Sequence, residues 1–142
     1  MSEQRGILKE SGDLSFVLTC LDPRCVPENY FGPDFHGGVF RNAGGRVTED
    51  VIRSFTVLRV LAGLKNVAVV HHTEIIETIA SVGPEAKTQA EKMDFKLFTF
   101  EGLSDSVKED VRALRSAETL AGINVYGFEL DTHTGRVERV DV

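Results

Sequence analysis

Two short apolar stretches decide the fold: residues 14–21 read LSFVLTCL, and residues 66–71 read NVAVVH. Each stretch is nearly continuous in apolar character, so an extended chain there would present apolar side chains on both of its faces. Strands that are buried on both faces are typical of parallel sheets covered by helices. The two stretches therefore predict the central strands of an α/β domain.

The sequence between these two apolar stretches predicts one more strand and a helix. Residues 37–41 (GGVFR) favour a short strand. Thr48 is a candidate N-cap, because its hydroxyl can accept a hydrogen bond from the first helical turn. Apolar residues recur at helical spacing after it, and Gly63 supplies a stop.

The second half of the chain continues the alternation. Ser106 and Glu109 form the S-x-x-E pattern of a capping box, which predicts a helix running to about Leu120. The remaining predicted elements are a short helix over residues 74–80, a strand over residues 95–100, and a hairpin of residues 123–130 and 136–140. Strands alternating with helices predict one α/β domain, with about four parallel strands and an antiparallel C-terminal strand. We expect this domain to span residues 14–142, after a short N-terminal segment of residues 1–13.

Composition narrows the class of protein. The chain has 142 residues and a net charge of −6, which argues against a broad nucleic-acid-binding face because phosphates are bound by clustered Lys and Arg. No apolar run approaches the roughly 20 residues that a membrane-spanning helix needs. Two cysteines, Cys20 and Cys25, are too few for a disulfide framework. We therefore expect a reduced, cytoplasmic protein that binds neither nucleic acid nor membrane.

The end of the first strand carries the first group of reactive side chains. Cys20-Leu21-Asp22-Pro23-Arg24 places a thiol, a carboxylate and a guanidinium where sites gather in parallel sheets, at the carboxyl end of a strand. Asp22 and Arg24 are close enough to pair, and Cys20 is a potential metal ligand as a thiolate. The alternative from these five residues alone is a buried cysteine followed by a turn and a surface salt bridge.

The end of the second strand carries two histidines. His72 precedes a predicted helix, where a neutral imidazole is able to ligate zinc; the alternative is a histidine that only caps the helix or makes a hydrogen bond. His71 should point to the opposite side of the strand, because side chains alternate along it. The other two histidines, His36 and His133, lie in predicted loops without a visible ligand partner and are expected to be solvent groups.

Taken in order, these segments resemble the short members of the β-class carbonic anhydrases. The segment C-L-D-P-R at residues 20–24 matches their C-x-D-x-R motif, residues 41–45 match their RNAG segment, and residues 70–74 (VHHTE) match the strand end that carries their zinc histidine. The resemblance implies reversible hydration of CO2 to bicarbonate at a Zn2+ ion. It makes Cys20 and His72 metal ligands, makes Asp22 the group that orients the attacking hydroxide, and makes Arg24 the group that holds Asp22.

One departure from this family pattern weakens the expected zinc site. The family's second ligand cysteine and the glycine after it correspond here to Ile75 and Ile76, and isoleucine cannot bind a metal. Cys25 lies beyond Pro23, and we do not expect it to substitute. Asp22 is then the best candidate for a third protein ligand, with zinc bound substoichiometrically and activity weak or absent.

Two alternatives to a weak carbonic anhydrase remain from the sequence. One is a non-catalytic protein that acts by binding or by heteromeric association. The other is a hydrolase of a CO2-like molecule such as carbonyl sulfide. Either way, the site would accept a ligand of the size of CO2 or bicarbonate.

The resemblance also implies a homodimer. The predicted helix after Thr48 carries more apolar positions than one core contact requires, namely Val51, Phe55, Val57, Leu58, Val60 and Leu61. The family usually has a longer helical arm before the first strand, so the short segment here is expected to weaken the dimer without abolishing it.

Overall fold

The structure is a computed structural model, and it describes residues 14–73, 85, 88 and 102–142. Several predictions concern residues outside these ranges. They are the N-terminal segment of residues 1–13, the helix over residues 74–80 and the strand over residues 95–100. Ile75 and Ile76, which stand where the family has a ligand cysteine and a glycine, also lie outside the described residues.

The described residues form a five-stranded sheet flanked by helices. The strands are β1 (Leu14–Cys20), β2 (Gly38–Asn42), β3 (Leu64–His72), β4 (Asn124–Asp131) and β5 (Arg136–Val140), and they lie in the order β2-β1-β3-β4-β5. The first four are parallel, and β5 pairs antiparallel with β4. The predicted mostly parallel α/β domain with an antiparallel C-terminal strand is confirmed.

Three α-helices and two short 3-10 turns complete the described elements. The helices are α1 (Pro27–Tyr30), α2 (Glu49–Ala62) and α3 (Leu103–Ser116), and the 3-10 turns are Ala43–Gly45 and Glu118–Leu120. No helix among the described residues combines the length and the apolar character needed to cross a membrane.

Burial on both faces explains why the two apolar stretches became the central strands. Val67 and Val69 of β3 point into a core shared with α2 and α3, whereas Ala68 and Val70 point into a second core on the other face. All four side chains are fully buried. At roughly 1.5–3 kcal/mol for each fully buried valine, this two-sided burial strongly favours the central position of β3.

Helix α2 begins and ends where the sequence predicts. The Thr48 hydroxyl accepts a hydrogen bond from the Val51 amide at 3.3 Å, which satisfies one of the free amides of the first turn. Gly63 ends the helix in the left-handed conformation, with φ of 73°. Because a side chain at that backbone conformation would be strained, glycine is the natural stop.

The capping box predicted at Ser106 and Glu109 is wrong. Helix α3 begins at Leu103, after Gly102, so Ser106 lies inside the first turns of the helix. Its hydroxyl donates to the Leu103 carbonyl at 2.8 Å and also contacts His71. The Ser106 hydroxyl therefore contacts a buried histidine and does not cap the helix, a tertiary effect that a local pattern does not reveal.

Candidate metal centre

The candidate site lies where three parallel strands end at the same edge of the sheet. Cys20 is the last residue of β1, Asn42 the last of β2 and His72 the last of β3. In parallel sheets this edge is where binding sites form, because the loops that follow the strands meet there. The residues that the sequence singles out on β1 and β3 thus share one edge.

Asp22 and Arg24 form the pair that the sequence predicts. Both carboxylate oxygens of Asp22 accept hydrogen bonds from the Arg24 guanidinium, the shortest at 2.6 Å, and the Arg24 amide adds another at 2.9 Å. These contacts from Arg24 lower the pKa of Asp22 to about 2. The carboxylate is therefore ionised and held in one orientation at neutral pH.

The thiol of Cys20 is buried and held by hydrogen-bond donors. It is only 5% exposed, and the Gly44 amide donates to its sulfur at 3.4 Å. Burial by itself raises the pKa of this thiol, but the nearby His72 imidazole and hydrogen bonds from the amides of Asp22 and Gly44 outweigh it and leave the pKa lowered. A lowered pKa favours the thiolate, which is the form that binds metals.

His72 is buried with one ring nitrogen satisfied and the other not. Its Nδ1 lies 2.7 Å from the carbonyl oxygen of Thr73, which can only accept, so Nδ1 carries a hydrogen. Its Nε2 is buried and has no hydrogen-bond partner among the described residues. A backbone carbonyl on one nitrogen is the usual support for a metal-binding histidine, because the other nitrogen, once deprotonated, has its lone pair directed to the metal.

Two cysteine thiols raise the pKa of His72. Burial by itself lowers the pKa of His72, but interactions with Cys20 and Cys25 outweigh it and raise the pKa. Neither sulfur meets Nε2 at hydrogen-bond geometry. The imidazole therefore lies beside both cysteines of the chain without being satisfied by either.

The position of Cys25 differs from the sequence expectation. The amide of Cys25 donates to the carbonyl of Asp22 at 3.0 Å, which closes a turn with Pro23 at its second position. Proline favours that position because its fixed φ matches the turn. The turn brings Cys25 back into the same buried cluster as Cys20, so Pro23 returns the second thiol to the site instead of carrying it away.

Arg41, the first residue of the RNAG segment, makes hydrogen bonds to the backbone of both cysteines. Its guanidinium donates to the carbonyl of Cys20 at 2.8 Å and to the carbonyl of Cys25 at 2.6 Å. No role was assigned to Arg41 from the sequence. A guanidinium on the strand next to Cys20 was the available signal, since a fork of donors suits two neighbouring carbonyls.

The glycines of the RNAG segment allow its backbone to approach β1. Gly44 has φ of 85° and Gly45 has φ of 64°. A Cβ atom on Gly45 would lie 2.9 Å from the carbonyl carbon of Thr19 and 3.0 Å from the amide nitrogen of Cys20. Only glycine permits this approach, which places the Gly44 amide against the Cys20 sulfur.

His71 faces the opposite side of β3, as predicted, and is fully partnered. Its Nδ1 lies 2.7 Å from the Ser106 hydroxyl, and its Nε2 lies 3.1 Å from the Gly45 carbonyl and 3.0 Å from Asp110. Asp110 also pairs with Arg46 at 2.6 Å. His71 therefore ties α3 to the loop behind Cys20, and it contributes no free nitrogen. The loop histidines His36 and His133 are exposed, as predicted.

The donor set at this edge suits zinc, although it is not assembled. Two sulfurs and an imidazole nitrogen are typical zinc ligands, and the buried Nε2 of His72 has no hydrogen-bond partner within the described residues. However, no three His, Cys, Asp or Glu side chains within the described ranges are arranged to hold an ion. The donors fit zinc in chemical kind, but the described side chains do not surround one point.

Comparisons with known proteins agree with this architecture. No protein-family model matches the chain. The crystal structure of carbonic anhydrase from Streptococcus mutans shares 31% sequence identity and superposes with a TM-score of 0.71, covering 89% of this chain and 81% of that one. Beta-carbonic anhydrase 1 of Mycobacterium bovis is 28% identical over 130 residues, which is 87% of this chain and 80% of that protein.

A shorter segment of the chain is similar to a protein with a different named activity. Carbon disulfide hydrolase of Acidianus sp. is 44% identical over 61 residues, which is 42% of this chain and 29% of that protein. Sequence identity and structural likeness over most of the chain nevertheless point the same way as the arrangement of Cys20, Asp22, Arg24 and His72. The chain belongs to the β-carbonic anhydrase family.

Proposed function

We propose that this protein hydrates CO2 to bicarbonate at a zinc site held by Cys20 and His72, with weak turnover. The observation that carries the proposal is the ion pair of Asp22 and Arg24 beside a buried thiol and an imidazole whose Nε2 has no hydrogen-bond partner in the described part of the chain. An orienting carboxylate and two metal donors at one sheet edge are the parts that this chemistry requires.

Each residue has a distinct part in the proposal. Zinc supplies Lewis-acid activation of water, lowering its pKa to about 7. Cys20 and His72 would hold the ion through Sγ and Nε2. Asp22, ionised by Arg24, accepts a hydrogen bond from the attacking water or hydroxide and turns its lone pair toward the substrate carbon.

The replacement of a ligand cysteine by Ile75 is the reason to expect weak turnover. Loss of a thiolate removes a strong donor and a negative charge, so zinc affinity falls. The sequence predicts that Asp22 fills the vacancy when zinc binds. As a zinc ligand, Asp22 would lose its contacts with Arg24 and would no longer orient the nucleophile.

Zinc content and stopped-flow CO2 hydration, measured on the same preparation, test the proposal. We expect zinc to bind, and hydration to be detectable but slow, and both to be lost in Cys20→Ser. Full zinc occupancy with no hydration at any pH would contradict it and would favour a non-catalytic binding role. Turnover at a rate typical of the family would contradict the claim of a weakened site.

A second candidate is hydrolysis of a CO2-like molecule such as carbon disulfide or carbonyl sulfide. The observation that favours it is the 44% identity over 61 residues with a carbon disulfide hydrolase, which exceeds the identity with Beta-carbonic anhydrase 1. Release of hydrogen sulfide from either substrate, measured beside CO2 hydration, separates the two candidates. Sulfide release that exceeds CO2 hydration would favour the hydrolase.

The protein is also proposed to be a homodimer that buries the outer face of α2. Val51 and Phe55 of this helix face the core, whereas Val57 is 49%, Val60 70% and Leu61 80% exposed. Exposed apolar clusters of this kind often mark interfaces. Sedimentation at micromolar concentration should give a dimer, and Leu61→Asp should give monomer. A monomer for the wild type would contradict the proposal.

A further inference from the structure

A buried ion pair joins α3 to the residue that follows the RNAG segment. The Arg46 guanidinium donates to both oxygens of the Asp110 carboxylate, at 2.6 Å from Nε and 3.2 Å from a terminal nitrogen. Arg46 is 4% exposed and Asp110 is 2% exposed. Apolar side chains of similar volume are often at least as stabilising as a buried ion pair, so stability alone gives no reason for this one. Its place in the fold is therefore the feature to explain.

The backbone of Arg46 is held as firmly as its side chain. The Asn42 side chain accepts a hydrogen bond from the Arg46 amide at 2.9 Å and donates one to the Arg46 carbonyl at 2.8 Å. Asn42 is the last residue of β2 and lies opposite Cys20 in the sheet. The 3-10 turn Ala43–Gly45 is therefore closed at its base against β2, and the Arg46 side chain connects that base to α3.

The Asp110 carboxylate also reaches the turn through His71. The Nε2 atom of His71 lies 3.1 Å from the Gly45 carbonyl oxygen and 3.0 Å from Asp110. A carbonyl oxygen only accepts, so Nε2 donates to it. One carboxylate therefore fixes the turn at two successive residues, at Arg46 directly and at Gly45 through the imidazole.

The turn that is held in this way carries an amide that contacts the Cys20 sulfur. The Gly44 amide donates to Cys20 Sγ at 3.4 Å. Gly45 packs so closely on β1 that a Cβ atom on it would lie 2.9 Å from the carbonyl carbon of Thr19. Because backbone packs directly on backbone here, the position of the turn sets the length of the hydrogen bond between Gly44 and Cys20.

We propose that Arg46 and Asp110 are positioning residues of the candidate site, and that their ion pair holds the Gly44 amide on the Cys20 sulfur. The inference rests on the proposed function, because Cys20 takes part in that reaction only as a zinc ligand. Hydrogen bonds to a metal ligand from outside its shell typically change metal affinity or activity by about 10–100-fold. A purely structural ion pair would support the packing of α3 and leave the Gly44 amide where it is.

The test follows the Gly44 amide by 15N–1H NMR in the full-length, reduced, metal-free protein. Cys20→Ala supplies the reference spectrum, because it removes the sulfur acceptor. Asp110→Asn keeps the shape of the side chain and removes its charge, so it should move the Gly44 proton and nitrogen shifts toward that reference. Glu109→Gln is the matched control, since Glu109 is the half-exposed partner of Arg46 at 3.5 Å, and it should leave both shifts at wild-type values. A folded Asp110→Asn protein with wild-type Gly44 shifts would overturn the proposal.

A second variant keeps the test independent of how well Asp110→Asn folds. Arg46→Lys retains a positive charge but lacks the planar fork that engages both carboxylate oxygens. It should move the Gly44 shifts in the same direction as Asp110→Asn and by a smaller amount. Wild-type Gly44 shifts in Arg46→Lys, or an equally large movement in Glu109→Gln, would overturn the proposal.

The consequence for the reaction is measured separately. CO2 hydration per bound zinc should fall by about tenfold in Asp110→Asn and stay at the wild-type rate in Glu109→Gln. Unchanged hydration in Asp110→Asn, beside a wild type that turns over, would overturn the link between the ion pair and the reaction.

Failure of this inference differs from failure of the proposed function, because the NMR measurement needs neither zinc nor substrate. A Gly44 amide that moves as expected, in a protein whose wild type does not hydrate CO2, would contradict the function and leave the positioning role standing. Hydration by the wild type, together with a Gly44 amide that does not move, would overturn the positioning role and leave the function standing.

Discussion

His71 and His72, which are adjacent at the end of β3, differ in how many of their ring nitrogens have hydrogen-bond partners. His71 has a partner for each ring nitrogen, in Ser106, Gly45 and Asp110. His72 has a carbonyl partner for Nδ1 and none among the described residues for Nε2. Both side chains are equally buried, at 2% exposure. Burial therefore does not distinguish a structural histidine from a metal ligand, whereas an unused nitrogen does.

The difference follows from the alternation of side chains along a strand. One face of β3 packs against α3 and the RNAG segment, where the Asp110 carboxylate and the Ser106 hydroxyl contact His71. The other face looks toward the two cysteines, whose sulfurs are poor hydrogen-bond partners but good metal ligands. The His71 face thus supports the loop behind Cys20, and the His72 face presents the donors.

The largest effect is expected on the His71 side. Asp110→Ala removes the carboxylate shared by Arg46 and His71 and leaves two buried polar groups without it. We expect a loss of about 3–5 kcal/mol in the free energy of unfolding of the metal-free protein. Glu109→Ala is the matched control, because Glu109 is a half-exposed partner of the same guanidinium at 3.5 Å and should cost less than about 1 kcal/mol. Equal losses for the two variants would contradict the structural role of this network.

The next effect is expected on the His72 side. Asp22→Asn removes the charge that Arg24 holds in place, so we expect CO2 hydration per bound zinc to fall by about 100-fold. Asp50→Asn, in an exposed ion pair on α2, serves as the control and should leave hydration unchanged. The measurement is the stopped-flow rate of CO2 hydration per bound zinc in both variants and the wild type. Hydration equal to wild type in Asp22→Asn would exclude the orienting role.

Restoring the family ligand should raise turnover. Ile75→Cys restores the thiolate that the family pattern has at this position and should increase hydration by about tenfold or more. Ile75→Cys with Ile76→Gly should exceed the single change, because it restores the glycine of the family pattern as well. A double variant that binds zinc fully and stays inactive would show that the missing cysteine does not limit this protein.

The smallest effect is a pH dependence that belongs to the His71 side. Burial raises the pKa of Asp110, but hydrogen bonds from His71 and Arg46 outweigh it and lower the pKa below its ordinary value. The unfolded chain therefore binds this proton at higher pH than the folded protein does. The stabilisation by Asp110 is complete above the unfolded value of about 3.9 and is lost as pH falls through the folded pKa. Asp110→Asn should flatten the acid limb of urea stability curves for the metal-free protein. An unchanged slope would contradict this assignment.

Local patterns were sufficient for most of the described fold. Two-sided apolar stretches predicted β1 and β3, and the Thr48 cap and Gly63 stop predicted α2. The start of α3 was wrong, because Ser106 serves a histidine 35 residues away instead of the helix end. Contacts of that kind depend on how separate elements pack, which a local pattern does not contain.

The candidate site was predictable in its residues but not in its connections. Cys20, Asp22, Arg24 and His72 follow from motif spacing, and the Asp22–Arg24 pair formed as predicted. The return of Cys25 through the Pro23 turn and its link to Cys20 through Arg41 were missed. The first is a local turn closed between Asp22 and Cys25. The second depends on the register of β1 against β2, which places Cys20 opposite Asn42, the residue that follows Arg41.

The most direct test compares His71→Ala with His72→Ala, since both delete the same volume from equally buried positions. Each metal-free variant and each zinc-loaded variant would be measured for unfolding free energy and for bound zinc. His72→Ala should lose zinc, whereas His71→Ala should retain it and be the less stable metal-free protein by about 1–3 kcal/mol, the cost of unpaired buried groups. Zinc retained by His72→Ala, or lost only in His71→Ala, would contradict the assignment of His72 as the metal ligand.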